Sequence, residues 1–189
     1  MSEPLFFHEY VDLGYNNSPE NWPAMRPFTC AFTGHRPQHL SFKFDEESDE
    51  CKAIQARLEE EIEQAVEDGY KVFISGGALG VDTWAALLVL EYKKQYPFLR
   101  LELAIPCMGQ ESRWSKKDKA RYAFLIDSAD AVIRTSRQPY YEGCMRMRNA
   151  FMVQRSSRLI AVFNGKYGGT SQTITMAQDR GVDVRLIDV

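Results

Sequence analysis

Tyr70-Lys71-Val72-Phe73-Ile74-Ser75-Gly76-Gly77-Ala78-Leu79-Gly80-Val81-Asp82-Thr83-Trp84-Ala85-Ala86 passes from a β-branched and aromatic run, through three glycines, into an apolar stretch of helical period. Strand, glycine turn and helix in that order form one half of a βαβ unit. The pattern repeats on both sides of it. Strands are predicted at 28–33, 70–75, 100–105, 131–135, 159–164 and 182–187. Helices are predicted between them at about 49–67, 81–96, 116–128, 145–156 and 171–180, each long enough to cross back over a sheet. Alternation of this kind predicts an α/β fold with a mostly parallel, doubly wound sheet of about six strands. Gly69 is placed to end the acidic helix, and Pro97 to end the next one.

The chain has 189 residues, enough to form one domain around its own core. Residues 28–189 carry the alternation. Residues 1–27 hold four prolines among Phe6, Phe7, Tyr10, Tyr15 and Trp22, too aromatic for a solvated tail and too broken for a regular element. They read as an arm packed on the domain. The four cysteines have neither metal-site nor disulfide-framework spacing and are expected to be reduced. No metal site is indicated. The N-terminus lacks a basic start, and apolar stretches such as Ala85–Leu90 fall far short of the roughly 20 residues of a membrane span, so a cytoplasmic protein is expected.

Net charge is −3, too small to mark the whole chain as a polyanion binder, yet it is unevenly spread. Residues 1–69 carry 15 acidic and 5 basic side chains, and residues 113–158 carry 4 acidic and 11 basic ones. The basic block fits either a solvated face paired with the acidic helix or part of an anion site.

In a parallel α/β sheet, ligands bind outside the carboxyl ends of the strands. Four polar or glycine-rich turns fall there: Thr33-Gly34-His35-Arg36, Ser75 to Asp82, the segment holding Gln110 with Trp114 beyond, and Asn164 to Thr170. Gly76, Gly77 and Gly80 would let a ligand approach the backbone at a helix start whose free N–H groups suit a phosphate. This turn is neither a Walker A loop nor a strict GxGxxG. Asp82 could cap that helix, accept from a ribose hydroxyl, or serve as the catalytic acid if there is catalysis. Gly168, Gly169 and Thr170 repeat the arrangement at a second helix start, where Thr170 or Ser171 could be the N-cap. Arg36 offers a bidentate cation, His35 a hydrogen bond, Arg148 and Asn149 a polar pair, and Trp114 a surface for stacking on a base.

The combination Phe32-Thr33-Gly34-His35-Arg36-Pro37, Ser75-Gly76-Gly77-x-x-Gly80-Val81-Asp82, Ala104-Ile105-Pro106-x-x-x-Gln110-x-x-x-Trp114, Gly143-Cys144-Met145-x-x-Arg148-Asn149 and Gly168-Gly169-Thr170 resembles the YpsA-like branch of the SLOG superfamily. The resemblance runs from about residue 28 to 189. It implies a Rossmann-like three-layer sandwich that binds or senses a nucleotide or nucleotide-derived ligand, ADP-ribose-like for example, in a glycine-lined cleft. No cofactor beyond such a ligand is indicated. The Ser75–Ala86 segment also resembles the DNA-processing protein A family, which implies single-stranded nucleic acid as an alternative partner. Gly168-Gly169-Thr170 resembles the phosphate loop of the LOG phosphoribohydrolases, which implies cleavage of a nucleotide N-glycosidic bond as another. Those hydrolases place a Glu three residues beyond the Thr; this chain has Thr173. Homo-oligomers occur among the relatives it resembles.

Overall fold

The computed structural model describes residues 9–12, as backbone, and 18–189. The chain runs β1 (Glu9–Asp12), α1 (Trp22–Met25), β2 (Thr29–Gly34), α2 (Asp49–Glu67), β3 (Val72–Ser75), α3 (Val81–Gln95), β4 (Arg100–Ile105), α4 (Lys116–Ser128), β5 (Ala131–Arg134), α5 (Cys144–Arg155), β6 (Arg158–Phe163), α6 (Gly169–Asp179) and β7 (Asp183–Asp188). One sheet has the order β1-β5-β4-β3-β2-β6-β7. Strands β2 to β7 are all parallel, and β1 is antiparallel along β5. This is a doubly wound, Rossmann-like sandwich.

The period of two along each strand sorts the core. Phe32, Phe73, Leu101, Leu103, Ile160 and Val162 face α2, α3 and α4. Their neighbours Ala31, Ile74, Ala104, Leu159 and Ala161 face α5 and α6. On the first side α2 buries Cys51, Ile54, Leu58, Ile62 and Ala65 as a helical stripe, its start capped by Ser48 Oγ accepting from the Cys51 N–H at 3.2 Å. Gly69, at φ +93°, turns the chain out of that helix. All four cysteines are buried free thiols.

Residues 9–12 depart from the expectation that the N-terminal stretch forms no regular element. They lie between Pro4 and Pro19, so this short run is free of proline and can complete the β5 edge. Farther along, the Trp22 ring meets Phe151 edge-on at 5.3 Å, and the Arg155 guanidinium lies 4.3 Å from the Trp22 centroid. Arg155 also pairs with the buried Glu102 carboxylate from β4. The expected packing of Phe6, Phe7, Tyr15 and the Tyr10 side chain lies outside the described residues.

From β2 the chain builds outward through β3, β4 and β5, then crosses back to lay β6 and β7 on the other side of β2. The switch point therefore lies between β2 and β6, whose carboxyl ends stand side by side with Gly34 opposite Val162. A cleft between helices of opposite faces opens at such a point.

Candidate functional site

A cleft of about 1150 Å³ opens there. Thr33, Gly34, His35 and Arg36 from the end of β2 line it, with Asn164, Gly168, Gly169 and Thr170 from beyond β6 and Arg148 and Asn149 from α5. From the β3 turn only Ala78 and Asp82 reach it. Two of the four expected turns meet at the cleft, the third contributes little, and Gln110 and Trp114 are outside its lining.

The α6 start is open. Its N-cap is Gly168, which has no side chain to cap the helix. The Gly168 N–H donates to Ser171 Oγ at 2.8 Å, and that hydroxyl donates back to the Gly168 carbonyl at 2.9 Å. Ser171 thus closes the entry turn without covering the first helical N–H groups. Those of Gly169 and Thr170 find no acceptor among the described residues, as the first turn of a helix leaves them without intrahelical partners. A Cβ built on Gly168 or Gly169 meets nothing within 4 Å. Protein packing does not require glycine at either position, and the space beside them belongs to the cleft.

Several cations line the same cleft. Arg36 is exposed, its guanidinium 3.8 Å from Met145 Sδ. Lys43, Arg57 and Lys166 also line the cleft, and no carboxylate pairs with these four among the described residues. Glu50, Asp82 and Asp188 are the acidic side chains of the lining.

His35 holds the two strand ends together. Its Nε2 accepts from the Asn164 N–H at 3.1 Å, and its ring stacks on Phe163 at 5.9 Å. Burial, with His39 and Lys166 nearby, keeps the imidazole below its ordinary pKa, so at neutral pH it is an uncharged acceptor. Asn164 continues the clasp: Nδ2 donates to the His39 carbonyl at 3.2 Å, and Oδ1 accepts from the Lys166 N–H at 3.1 Å. Both side chains shape the 164–170 turn.

The Ser75–Asp82 turn, expected to seat a phosphate, is closed on itself. The Gly77 N–H donates to Ser75 Oγ at 3.1 Å, Ser75 Oγ donates to the Asp82 carbonyl at 2.8 Å, and the Ala78 N–H points to Asp82 Oδ2 at 3.4 Å. Its glycines have other causes. A Cβ at Gly80, where φ is +86°, would stand 2.8 Å from the His35 carbonyl oxygen. One at Gly76 would stand 1.5 Å from Arg148 Nη1. Gly34 packs so closely on α3 that its Cβ would meet Val81 at 2.6 Å. These glycines allow protein to approach protein.

Arg148 fills the space that Gly76 leaves. Only 5% exposed, it sits 3.6 Å from Asp82 Oδ2 and donates through Nη1 to the Ala104 carbonyl at 3.4 Å. Through Nε it donates to Asn149 Oδ1 at 2.8 Å. Asn149 Nδ2 then donates to Thr173 Oγ1 at 2.9 Å, which donates to the Gly169 carbonyl at 2.7 Å. A continuous chain of contacts therefore joins the first glycine turn to the second. Burial raises the Asp82 carboxyl above its ordinary pKa and lowers that of Arg148, while each opposes the shift in the other. Asp82 stands in the first turn of α3, two residues after the N-cap Gly80.

Gln110 Nε2 donates to the Gly77 carbonyl at 3.3 Å, behind the cleft, and Trp114 meets Tyr122 edge-on at 5.3 Å. Trp114 is half-buried there. Sequence reading missed the opposite wall, formed by Leu40, Phe42 and Lys43 with Glu50, Ala53, Ile54 and Arg57. The last four fall at i, i+3, i+4 and i+7, a single helical face, and that spacing was the available signal.

Residues 30–185 match the YspA SLOG family. Curated relatives include a UPF0398 protein of Bacillus thuringiensis (strain Al Hakam), 33% identical over 149 residues covering 78% of this chain and 80% of the relative. Another, from Bacillus pumilus (strain SAFR-032), is 30% identical over 142 residues, covering 74% and 75%. Among solved structures, DNA processing protein A from Streptococcus pneumoniae superposes with a TM-score of 0.60 at 19% identity, over 88% of this chain. The chain spans about half the length of that protein, 51%. DNA processing protein A from Helicobacter pylori, whose structure describes a single-stranded DNA binding mode, gives 0.58 at 16% identity, over 96% of this chain and 81% of that one. Both share the fold. With the family matched across both glycine turns and the switch-point cleft, the chain belongs to the YspA SLOG family.

Proposed function

We propose that the cleft binds a nucleotide or nucleotide-derived ligand, its phosphate seated on the α6 start. The observation that carries this reading is the turn Gly168-Gly169-Thr170, a helix start without a capping side chain that lines the same cavity as Arg36 and Lys166. Neutral N–H donors bind an anion without the cost of burying many cations. The reading is one of binding or sensing. Asp82, the candidate acid, is 7% exposed and already engaged with Arg148 and the Ala78 N–H. Thr173, where the LOG hydrolases have Glu, is tied to Asn149 and Gly169. These contacts support positioning the loop more than cleaving a glycosidic bond.

The test is thermal unfolding against nucleoside mono- and diphosphates, ADP-ribose, NAD and cyclic nucleotides. A ligand at about a hundred times its Kd stabilises by about 2.7 kcal/mol, roughly 5–10 °C for a chain of this size. The shift should vanish in Gly169→Val, whose folding should be unaffected. A hit recovered intact supports sensing, and a hit consumed turns the reading to an enzyme. A shift retained in Gly169→Val overturns the seat.

The likeness to the DNA processing protein A structures, one of them described with single-stranded DNA, supports a second reading, in which the phosphate belongs to a single strand. Its affinity would fall steeply with salt as phosphate contacts release counterions. Binding that is absent at about 50 mM salt, or flat across salt, removes this reading.

A further inference from the structure

We infer that the cleft is bipartite and that the wall formed by α2 and residues 40–43 is a nucleobase subsite; this rests on the reading of the α6 start as the phosphate seat. The two walls belong to opposite faces of the sheet. Helix α6 packs over Ala31 and Ala161, whereas α2 packs over Phe32 and Ile160. A ligand anchored at Gly169 and reaching across the ends of β2 and β6 meets different chemistry on the far side. Leu40, Phe42 and Ile54 give that side an apolar floor, and Ala53 leaves room above it.

The rim of this wall is mixed, with Glu50 one turn before Ala53 and Arg57 one turn after it, and Lys43 beside them. Glu50 disfavours a second phosphate here, while an acceptor and two donors around an apolar floor suit the polar edge and flat face of a base. Backbone strain marks the same place. Lys43 is the non-glycine residue with positive φ, +53°, among the described residues, a conformation that costs about 1 kcal/mol or more and clusters at ligand sites. Glu46 holds the segment in place by a bidentate pair with Arg121 at 2.8 and 2.9 Å and by accepting from Trp84 Nε1 at 2.9 Å. The cleft, at about 1150 Å³, exceeds the roughly 300–1,000 Å³ usual for small ligands, so a phosphate alone leaves most of it unfilled.

Calorimetric titration of the wild-type chain, Gly169→Val and Ala53→Trp with ribose 5-phosphate and each of the four nucleoside 5′-monophosphates tests the assignment. Ala53 is exposed on the surface of α2, so its replacement should leave the melting curve in place. At least one mononucleotide should bind tenfold or more tightly than ribose 5-phosphate. Ala53→Trp should remove that advantage and leave ribose 5-phosphate unchanged, whereas Gly169→Val should weaken both. If no nucleotide outbinds ribose 5-phosphate, or if Ala53→Trp weakens both probes alike or neither, the subsite is refuted while the phosphate seat stands. If neither probe binds the wild-type chain, the phosphate seat fails and the subsite with it.

Discussion

Arg148 and Asp82 should be energetically coupled strongly enough to be measured in a double-mutant cycle. Both are nearly buried, 5% and 7% exposed, and 3.6 Å apart, so each is the other's principal counter-charge. Breaking a buried ion pair by removing one partner costs about 3–5 kcal/mol, because the remaining charge is left without compensation. The cleft admits some water to this pair, which places the loss for Asp82→Asn near about 3 kcal/mol. Asparagine keeps an acceptor for the Ala78 N–H, so the charge is the main thing removed. Arg148→Met removes the other charge while keeping a long side chain beside Gly76. The double variant leaves no unpaired charge, and its loss should fall short of the sum by about 1–3 kcal/mol. Urea unfolding at pH 7 reads each value: with a slope of about 2 kcal/mol/M, a 3 kcal/mol loss lowers the midpoint by about 1.5 M. Single losses that add to within about 0.5 kcal/mol would refute the pairing as an energetic unit.

Other expectations follow from named contacts. Gly80→Val should destabilise the fold by about 2–4 kcal/mol, because its Cβ would press on the His35 carbonyl at 2.8 Å from a left-handed backbone, while Gly169→Val leaves the urea midpoint unchanged; equal effects would contradict the division of roles between the two glycine turns. Glu46 is held at a pKa of about 2, chiefly by the Arg121 hydrogen bonds, so its contribution is present above the ordinary carboxylate range and lost as pH falls from about 4.5 toward 2. Glu46→Gln should cost about 1–2 kcal/mol at pH 7 after allowance for solvent screening and flatten that acid limb; an unchanged limb counts against the pair. Tyr167 lines the cleft at 87% exposure, so Tyr167→Ala should leave stability within about 0.5 kcal/mol and weaken nucleotide binding about fivefold, and a lowered melting point would place the ring in the fold instead.

The strand and helix alternation was legible because each element carries its own local signal. Asp49–Glu67 and Lys116–Ser128 are bounded by Ser48 and Ser115, whose hydroxyls accept from the N–H groups of Cys51 and Asp118. The parallel sheet followed from that alternation. The site was legible only in part, because glycine has two uses that look alike in sequence. Gly76 and Gly168 both lie between a strand and a helix. One gives way to a guanidinium at 1.5 Å and the other to open space, and only packing separates them. Trp114 is ambiguous for a similar reason: an aromatic after a strand suits stacking on a base or on a neighbouring ring, and Tyr122 is one such neighbour here.

The closed turn and the open turn are better understood as one device. A helix start that binds anions must hold its N–H groups still, yet a turn of two adjacent glycines is among the most mobile backbone a chain can offer. Here the rigidity comes from elsewhere. Thr173 Oγ1 grips the Gly169 carbonyl, Asn149 grips Thr173, and Arg148 grips Asn149. Arg148 is fixed in turn by Asp82 and by the close passage that Gly76 permits. In the proposed function the Ser75–Asp82 turn would serve the anion seat without touching an anion, by anchoring the far end of the chain that stiffens it. Thr173 follows the same logic. It orders the loop in the place where the resemblance to LOG hydrolases would put a carboxylate, and under the proposed function a hydroxyl engaged on both sides suits holding a ligand more than cleaving one.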